Sequence, residues 1–255
     1  MESVDLLRRL DAIGVALERS GHALALLGLG SVGIDLGRLD AWSDLDFFVV
    51  VGDGQKARFA DDLGWLETVA PIVFAYRNTP DGHKVLFADG VFCEMAVFER
   101  AELAGIPFSR GRIVWKRPWV DDSLAVPARP EPEPPVRTTE WLLGEALTNL
   151  LVGLGRFHRG EKLSAMRLVQ GHALDRLVEL TRLVEEERPG LRDAFNPDRR
   201  VELWLPLLAG ELPRFAQGYD HTPESALAIL DFLEHHFQVN TSIAAAIRSL
   251  AASNR

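Results

Sequence analysis

Gly28-Leu-Gly-Ser-Val-Gly33, followed after ten residues by Asp44-Leu45-Asp46-Phe-Phe-Val-Val-Val51, is the stretch on which the fold turns. Its first half matches G-x-G-x-x-G after a short apolar run, the dinucleotide fingerprint. That reading needs a helix opening at the third glycine and crossing over to a parallel strand, about a dozen residues or more. Only Ile34–Ser43 lie between, and they include Gly37. The next strand arrives too soon, and a dinucleotide-binding oxidoreductase fails on that length.

The second reading takes Gly30-Ser31 together with the acids. Asp44 and Asp46 stand at i and i+2 where a strand begins, so alternation puts both carboxylates on one face and Leu45 on the other. Two carboxylates on one edge repel each other and call for a cation. Mg²⁺, which binds one or two carboxylates together with substrate phosphates, suits them. Gly30 permits close backbone approach, and Ser31 offers a hydroxyl and an amide to a phosphate. A third acid, Glu94, sits within the apolar run Val91–Phe98. A mid-strand carboxylate is costly unless it is paired, liganded or solvated at a cleft.

Around this stretch the chain is α+β. Helical spacing of Leu6, Leu7, Leu10, Ile13 and Leu17 predicts a helix over 3–19. Leu24–Leu29 and Leu45–Val51 read as strands, Lys56–Leu63 as a helix stopped by Gly64. Ile72–Arg77, Val85–Ala88 and Val91–Phe98 read as three further strands, joined by turns at Thr79-Pro80-Asp81-Gly82 and Asp89-Gly90. Five of the fourteen prolines fall in Val126–Pro135, a semi-rigid connector by composition. Beyond it the pattern is helical: 139–157, a long amphipathic stretch over 162–187, and 223–250, with Pro206 and Pro213 interrupting between. The expected division is a domain over 1–125 with a small mixed sheet and flanking helices, a linker over 126–136, and a helical bundle over 137–255.

Composition narrows the partners. The 255 residues carry 28 basic and 37 acidic side chains, a net charge of −9. That balance disfavours duplex nucleic acid, whose phosphates need Lys and Arg, and suits a divalent metal or a cationic small molecule. No window approaches 18 consecutive apolar residues, so no membrane span is expected. The first residues are acidic where a signal peptide needs basic ones, and Cys93 is the only cysteine. A cytoplasmic location is the expectation.

Gly30-Ser31, twelve residues, then Asp44-Leu45-Asp46 in an apolar strand resembles the signature of the polymerase-β-like nucleotidyltransferase superfamily, whose third acid lies on a later strand, as Glu94 does. Trp65–Arg77 and Lys84–Glu94 are similar to the two-domain lincosamide nucleotidyltransferases. The resemblance is good over about residues 24–125 and looser through the helical half, as in Arg159-Gly160-Glu161. It implies transfer of a nucleoside monophosphate from ATP or another nucleoside triphosphate to a hydroxyl of a small acceptor, such as a lincosamide or aminoglycoside antibiotic. It also implies Mg²⁺, two ions by expectation, on Asp44, Asp46 and Glu94. Glu94 is either a metal ligand or the base for the acceptor's proton. Gly30, Ser31 and Ser43 are then the nucleotide-binding candidates of the first half. Arg159, Lys162 and Arg167, near the start of the long helix, are those of the second, which by resemblance faces the nucleotide. A homodimer is admitted by resemblance only.

Two other functions share these residues. A toxin–antitoxin-type transferase acting on protein or RNA keeps the fold, but such chains are often shorter and lack a full helical partner domain. A non-catalytic relic is opposed by the joint presence of Gly30, Ser31, Asp44, Asp46 and Glu94. The seven histidines show no metal spacing. Cys93 alternates with Glu94 and is expected in the core. Trp42, next to Ser43-Asp44, is expected to pack.

Overall fold

The structure is a computed structural model that describes residues 3–129, 136–190 and 192–253. Residues 130–135, which hold most of the expected proline-rich linker, lie outside the described residues. The chain divides into two compact units, Met1–Pro132 and Glu133–Arg255.

The first unit carries helix α1 (Ser3–Ser20), strands β1 (Ala23–Gly28) and β2 (Leu45–Val51), helices α2 (Lys56–Ala60) and α3 (Gly64–Glu67), and strands β3 (Ile72–Arg77), β4 (Gly82–Phe87), β5 (Phe92–Glu99) and β6 (Arg112–Lys116). The six strands form one sheet in the order β3-β4-β5-β2-β1-β6. β2 and β5 run parallel, and every other neighbouring pair is antiparallel. Two expectations are corrected here. Gly64 does not stop a helix over Lys56–Leu63; α2 ends at Ala60, and Asp62 accepts from the Gly64 N–H at 2.8 Å to start α3. β6 was not read from the sequence at all. Arg112-Ile-Val-Trp-Lys116 is half-buried at every position, so no alternation marks it as an edge strand.

The two sheet faces have different fates. Leu45, Phe47, Val49, Val85, Cys93, Met95 and Val97 point into a core shared with Leu6, Leu10, Ile13 and Leu17 of α1 and with Phe59 and Leu66. The opposite face is covered only in part. Val50 and Phe98 are buried with Leu103, Phe108, Val120 and Ala125 from the segment flanking β6, and Phe48 stacks edge-on against Phe98 and Phe108. Toward the start of β2, that face is left half-exposed at Asp46, Lys84, Leu86, Phe92 and Glu94.

The second unit is helical: α4 (Thr139–His158), α5 (Lys162–Met166), a π-helical segment over Arg167–Ala173, α6 (Leu174–Thr181), α7 (Val201–Trp204), α8 (Pro206–Phe215), α9 (Thr222–His236) and α10 (Thr241–Ala252). Leu142, Ala146, Leu150 and Leu154 of α4 face Val169, Ala173, Leu177 and Leu180 in its core. The expected helix over 162–187 is therefore shorter and interrupted. A π turn over Arg167–Ala173 interrupts it, and at its two ends Leu163, ahead of that turn, and Val184, beyond the last helical residue, are exposed. The helix ends at Thr181, ahead of Glu185-Glu186-Glu187 and Pro189, which a helix C-terminus disfavours. The stretch 223–250 is two helices, because Asn240 caps α10 by accepting from the amides of Ser242 and Ile243. Pro206 opens α8 and Pro213 falls within it.

Sidedness of the sheet has a direct test in urea unfolding. Phe47 is 1% exposed and Phe74, on edge strand β3, is 54% exposed. Phe47→Ala should cost about 3–5 kcal/mol, and Phe74→Ala should stay within about 0.5 kcal/mol of the parent. Equal losses would contradict the assignment of faces.

Candidate functional site

β1 ends at Gly28 and the chain turns at once. The 3₁₀ turn Gly30–Val32 folds back over the strand end, so a side chain at position 28 would run into the carbonyl oxygen of Val32. Gly30 adopts φ +53°, and a Cβ there would stand 2.8 Å from Oδ2 of Asp46. The Asp46 carboxylate thus lies directly against the Gly30 backbone. Leu29 N–H donates to the Asp46 carbonyl at 2.8 Å, and Arg112 Nε donates to the Val32 carbonyl at 3.0 Å, tying the turn to β2 and β6. No helix opens at Gly33, and β1 and β2 are antiparallel, as a crossover could not make them. The glycines let a tight turn sit against a carboxylate.

Strand register then sets out a row of charges. Asp46 stands opposite Glu94 across the parallel β2–β5 pair, and Glu94 stands opposite Lys84 across the β5–β4 hairpin. Lys84 Nζ donates to Glu94 Oε1 at 2.6 Å, with the two side chains 38% and 39% exposed. The Glu94 hydrogen bond and charge, with Asp44 and Asp46 adding to them, hold the Lys84 ammonium above the ordinary lysine value. Asp44 lies half-exposed just ahead of β2. The fold therefore brings Gly30, Asp46 and Glu94 to one place, with Asp44 just ahead of the strand and close enough to act on the Lys84 ammonium. Lys84 is the residue that sequence reading missed. Counting outward from the Asp89-Gly90 turn lands position 84 opposite 94, so the signal was present in the hairpin.

The donor set is all oxygen, and three carboxylates against one ammonium leave two negative charges, a fit for one hard divalent cation. Among the described residues, no three His, Cys, Asp or Glu side chains are arranged to hold a metal ion by themselves. One oxygen of Glu94 is engaged by Lys84.

Ser31 is half-buried in the turn beside Gly30. Ser43 has a local role: its hydroxyl donates to Asp40 Oδ1 at 3.1 Å and accepts from the Asp40 N–H at 3.0 Å. The same Asp40 oxygen accepts from Trp42 N–H at 2.8 Å. This turn presents the Trp42 indole outward, 93% exposed, where packing was expected. Cys93 is buried, and burial pushes its thiol up to about 12, so it stays a neutral core residue.

Arg159, Lys162 and Arg167 belong to the second unit. Arg159 pairs with Glu161 at 2.8 Å, which holds the arginine up and the glutamate down from their ordinary values. Lys162 pairs with Asp220 at 2.8 Å and lies over the rings of Phe157 and Tyr219. Arg167 opens the π-helical segment. The first two are thus held in place by local acids.

No known protein-family model matches the chain, and no curated protein matches it. Among solved structures, an aminoglycoside 6-adenyltransferase from Bacillus subtilis is 12% identical, with 96% of this chain and 91% of that one covered and a TM-score of 0.31. A nucleotidyltransferase-like protein from Exiguobacterium sibiricum is 14% identical, at 90% and 74% coverage and a TM-score of 0.29. A Thermotoga maritima CCA-adding enzyme complexed with tRNA is 11% identical, at 97% and 72% coverage and a TM-score of 0.35.

The Gly30–Asp46 contact can be isolated with a matched control. Gly54 also has a positive φ, +71°, but open space where its Cβ would be. Gly54→Ala should therefore carry only the left-handed backbone cost, about 1–2 kcal/mol. Gly30→Ala should cost visibly more in chemical unfolding, because Asp46 must also move. Equal costs would contradict the close approach.

Proposed function

We propose that the chain transfers a nucleoside monophosphate from a nucleoside triphosphate, ATP being the expected donor, to a hydroxyl of a small molecule, with release of pyrophosphate. The observation that carries the reading is the placement of Asp46 against the Gly30-Ser31 turn and in register with Glu94. A tight turn of a glycine and a serine favours a phosphate, and adjacent carboxylates favour the cation that accompanies it.

Asp44 and Asp46 would hold Mg²⁺, with a second ion arriving with the nucleotide. When bound, the metal neutralises triphosphate charge and lowers the barrier to attack at the α-phosphorus. Gly30 and Ser31 orient the β- and γ-phosphates. The acceptor oxygen forms a bond to the α-phosphorus while the bond to the bridging oxygen of pyrophosphate breaks. Glu94 stands one strand from Asp46, and in this reading it either completes the metal's ligand set or takes the acceptor's proton. Trp42, two residues ahead of Asp44 in the chain, offers an exposed aromatic face. That face and the acidic row together favour a cationic acceptor of the lincosamide or aminoglycoside kind.

Pyrophosphate release with ATP, Mg²⁺ and a panel of lincosamides and aminoglycosides tests the reading. Release should depend on one class of acceptor and fall at least 100-fold in Asp46→Asn, the range typical of removing a group that stabilises transition-state charge. Protein that binds ATP yet releases nothing with any small acceptor would sink the small-molecule reading. An Asp46→Asn variant of unchanged activity would remove the metal assignment.

A further inference from the structure

We infer that Phe74 and Tyr76 of β3 form the platform on which the acceptor lies, and that this acceptor is amphipathic, with an apolar group about 10 Å from its reacting hydroxyl. This rests on the proposed nucleotidyl transfer beside the Gly30 turn. On edge strand β3, Ile72 stands opposite Phe87 and packs against the core. A register shift follows between Ile72 and Phe74; beyond it Phe74 stands opposite Leu86, and Tyr76 opposite Lys84. Regular alternation would have turned Ile72, Phe74 and Tyr76 to one face, and the shift parts them. Phe74 and Tyr76 therefore share the half-exposed face of Lys84, Glu94 and Asp46, with Tyr76 in the same cross-strand row. Both rings stay more than half exposed. Leu86 and Phe92, paired on the same face, continue the apolar surface from Phe74 to β5.

In-line displacement decides which ligand reaches these rings. The Gly30–Ser31 turn, which holds the leaving phosphates in the proposed reaction, follows β1 and lies on that side of Asp46. β5, β4 and β3 lie on the other side in that order. The attacking hydroxyl must come from opposite the pyrophosphate, hence from over β5. The rest of the acceptor then extends over β4 and β3, and Tyr76 stands two strands from Glu94, about 10 Å away. A polar group set on Phe74 and Tyr76 loses hydration without a partner, whereas an apolar group gains by leaving water.

The test is pyrophosphate release by the full chain with ATP, Mg²⁺ and the same panel of acceptors, ranked by apolar surface, with kcat and KM measured separately. Circular dichroism checks folding. Acceptors with an apolar group should exceed wholly polar ones by about tenfold or more in kcat/KM. Phe74→Ser and Tyr76→Ser should each raise acceptor KM about fivefold or more, with kcat and the KM for ATP within about twofold of wild type. Tyr76→Phe should keep the wild-type acceptor KM, and so should Val73→Ser, an exposed position of the same strand. A preference for wholly polar acceptors, or an acceptor KM indifferent to both aromatic-to-serine variants, overturns the platform and leaves the proposed transfer standing. A wild-type dimer that Phe74→Ser makes monomeric with acceptor KM unchanged gives this face to a second copy, with the same consequence. Release with no acceptor at all overturns both.

Discussion

Carboxylates set side by side on one sheet face repel each other, and the arrangement of the first unit answers that repulsion. Neighbouring strands lie about 4.8 Å apart, so two such charges oppose each other by roughly 1–3 kcal/mol, depending on how far water screens them. Asp46 and Glu94 are neighbours of this kind. Two features make the pairing tolerable. The face is left half-exposed just there, although its far end is closed by Phe48, Phe98 and Phe108. Lys84 supplies one compensating charge from the next strand.

Much of the local structure follows from this row. β2 and β5 must be parallel and in register for Asp46 to meet Glu94, which places the whole segment from α2 to β4 between them in sequence. β4 must pair with β5 through a tight turn for Lys84 to arrive opposite Glu94. The chain at Gly28–Gly33 must double back without side chains at positions 28 and 30, because the Val32 carbonyl and the Asp46 carboxylate occupy those places. On the other face, the apolar residues that alternate with the acids bind the sheet to α1. A fully buried aliphatic or aromatic side chain there contributes about 1.5–3 kcal/mol, enough in sum to hold an unfavourable charge row in place.

The parts legible in the sequence were those that one period or one turn determines. Leu45–Val51 and Ile72–Arg77 were read at their observed bounds, since turn residues flank dense β-formers. Both hairpin turns were marked by glycine. Asp46 and Glu94 were found because a charge inside an apolar strand conflicts with burial. Other features depend on partners distant in sequence. The π turn at Arg167–Ala173 accompanies hydrogen bonds between the Gln170 amide and Gly218, nearly fifty residues on, which no local pattern announces. Trp42 is exposed because Asp40 fixes the turn around it, although its composition favours burial. Lys84 looked like any surface lysine of an alternating strand until the register put an acid opposite.

The most direct measurement is a crystal structure of the full chain with Mn²⁺ and a non-hydrolysable ATP analogue, with the ion located by its anomalous signal. The expected result is an anomalous peak between the carboxylates of Asp44 and Asp46, with the phosphates against Gly30 and Ser31. A nucleotide seated elsewhere, or a peak away from the β2–β5 row, would contradict the assignment of this sheet face as the site of chemistry.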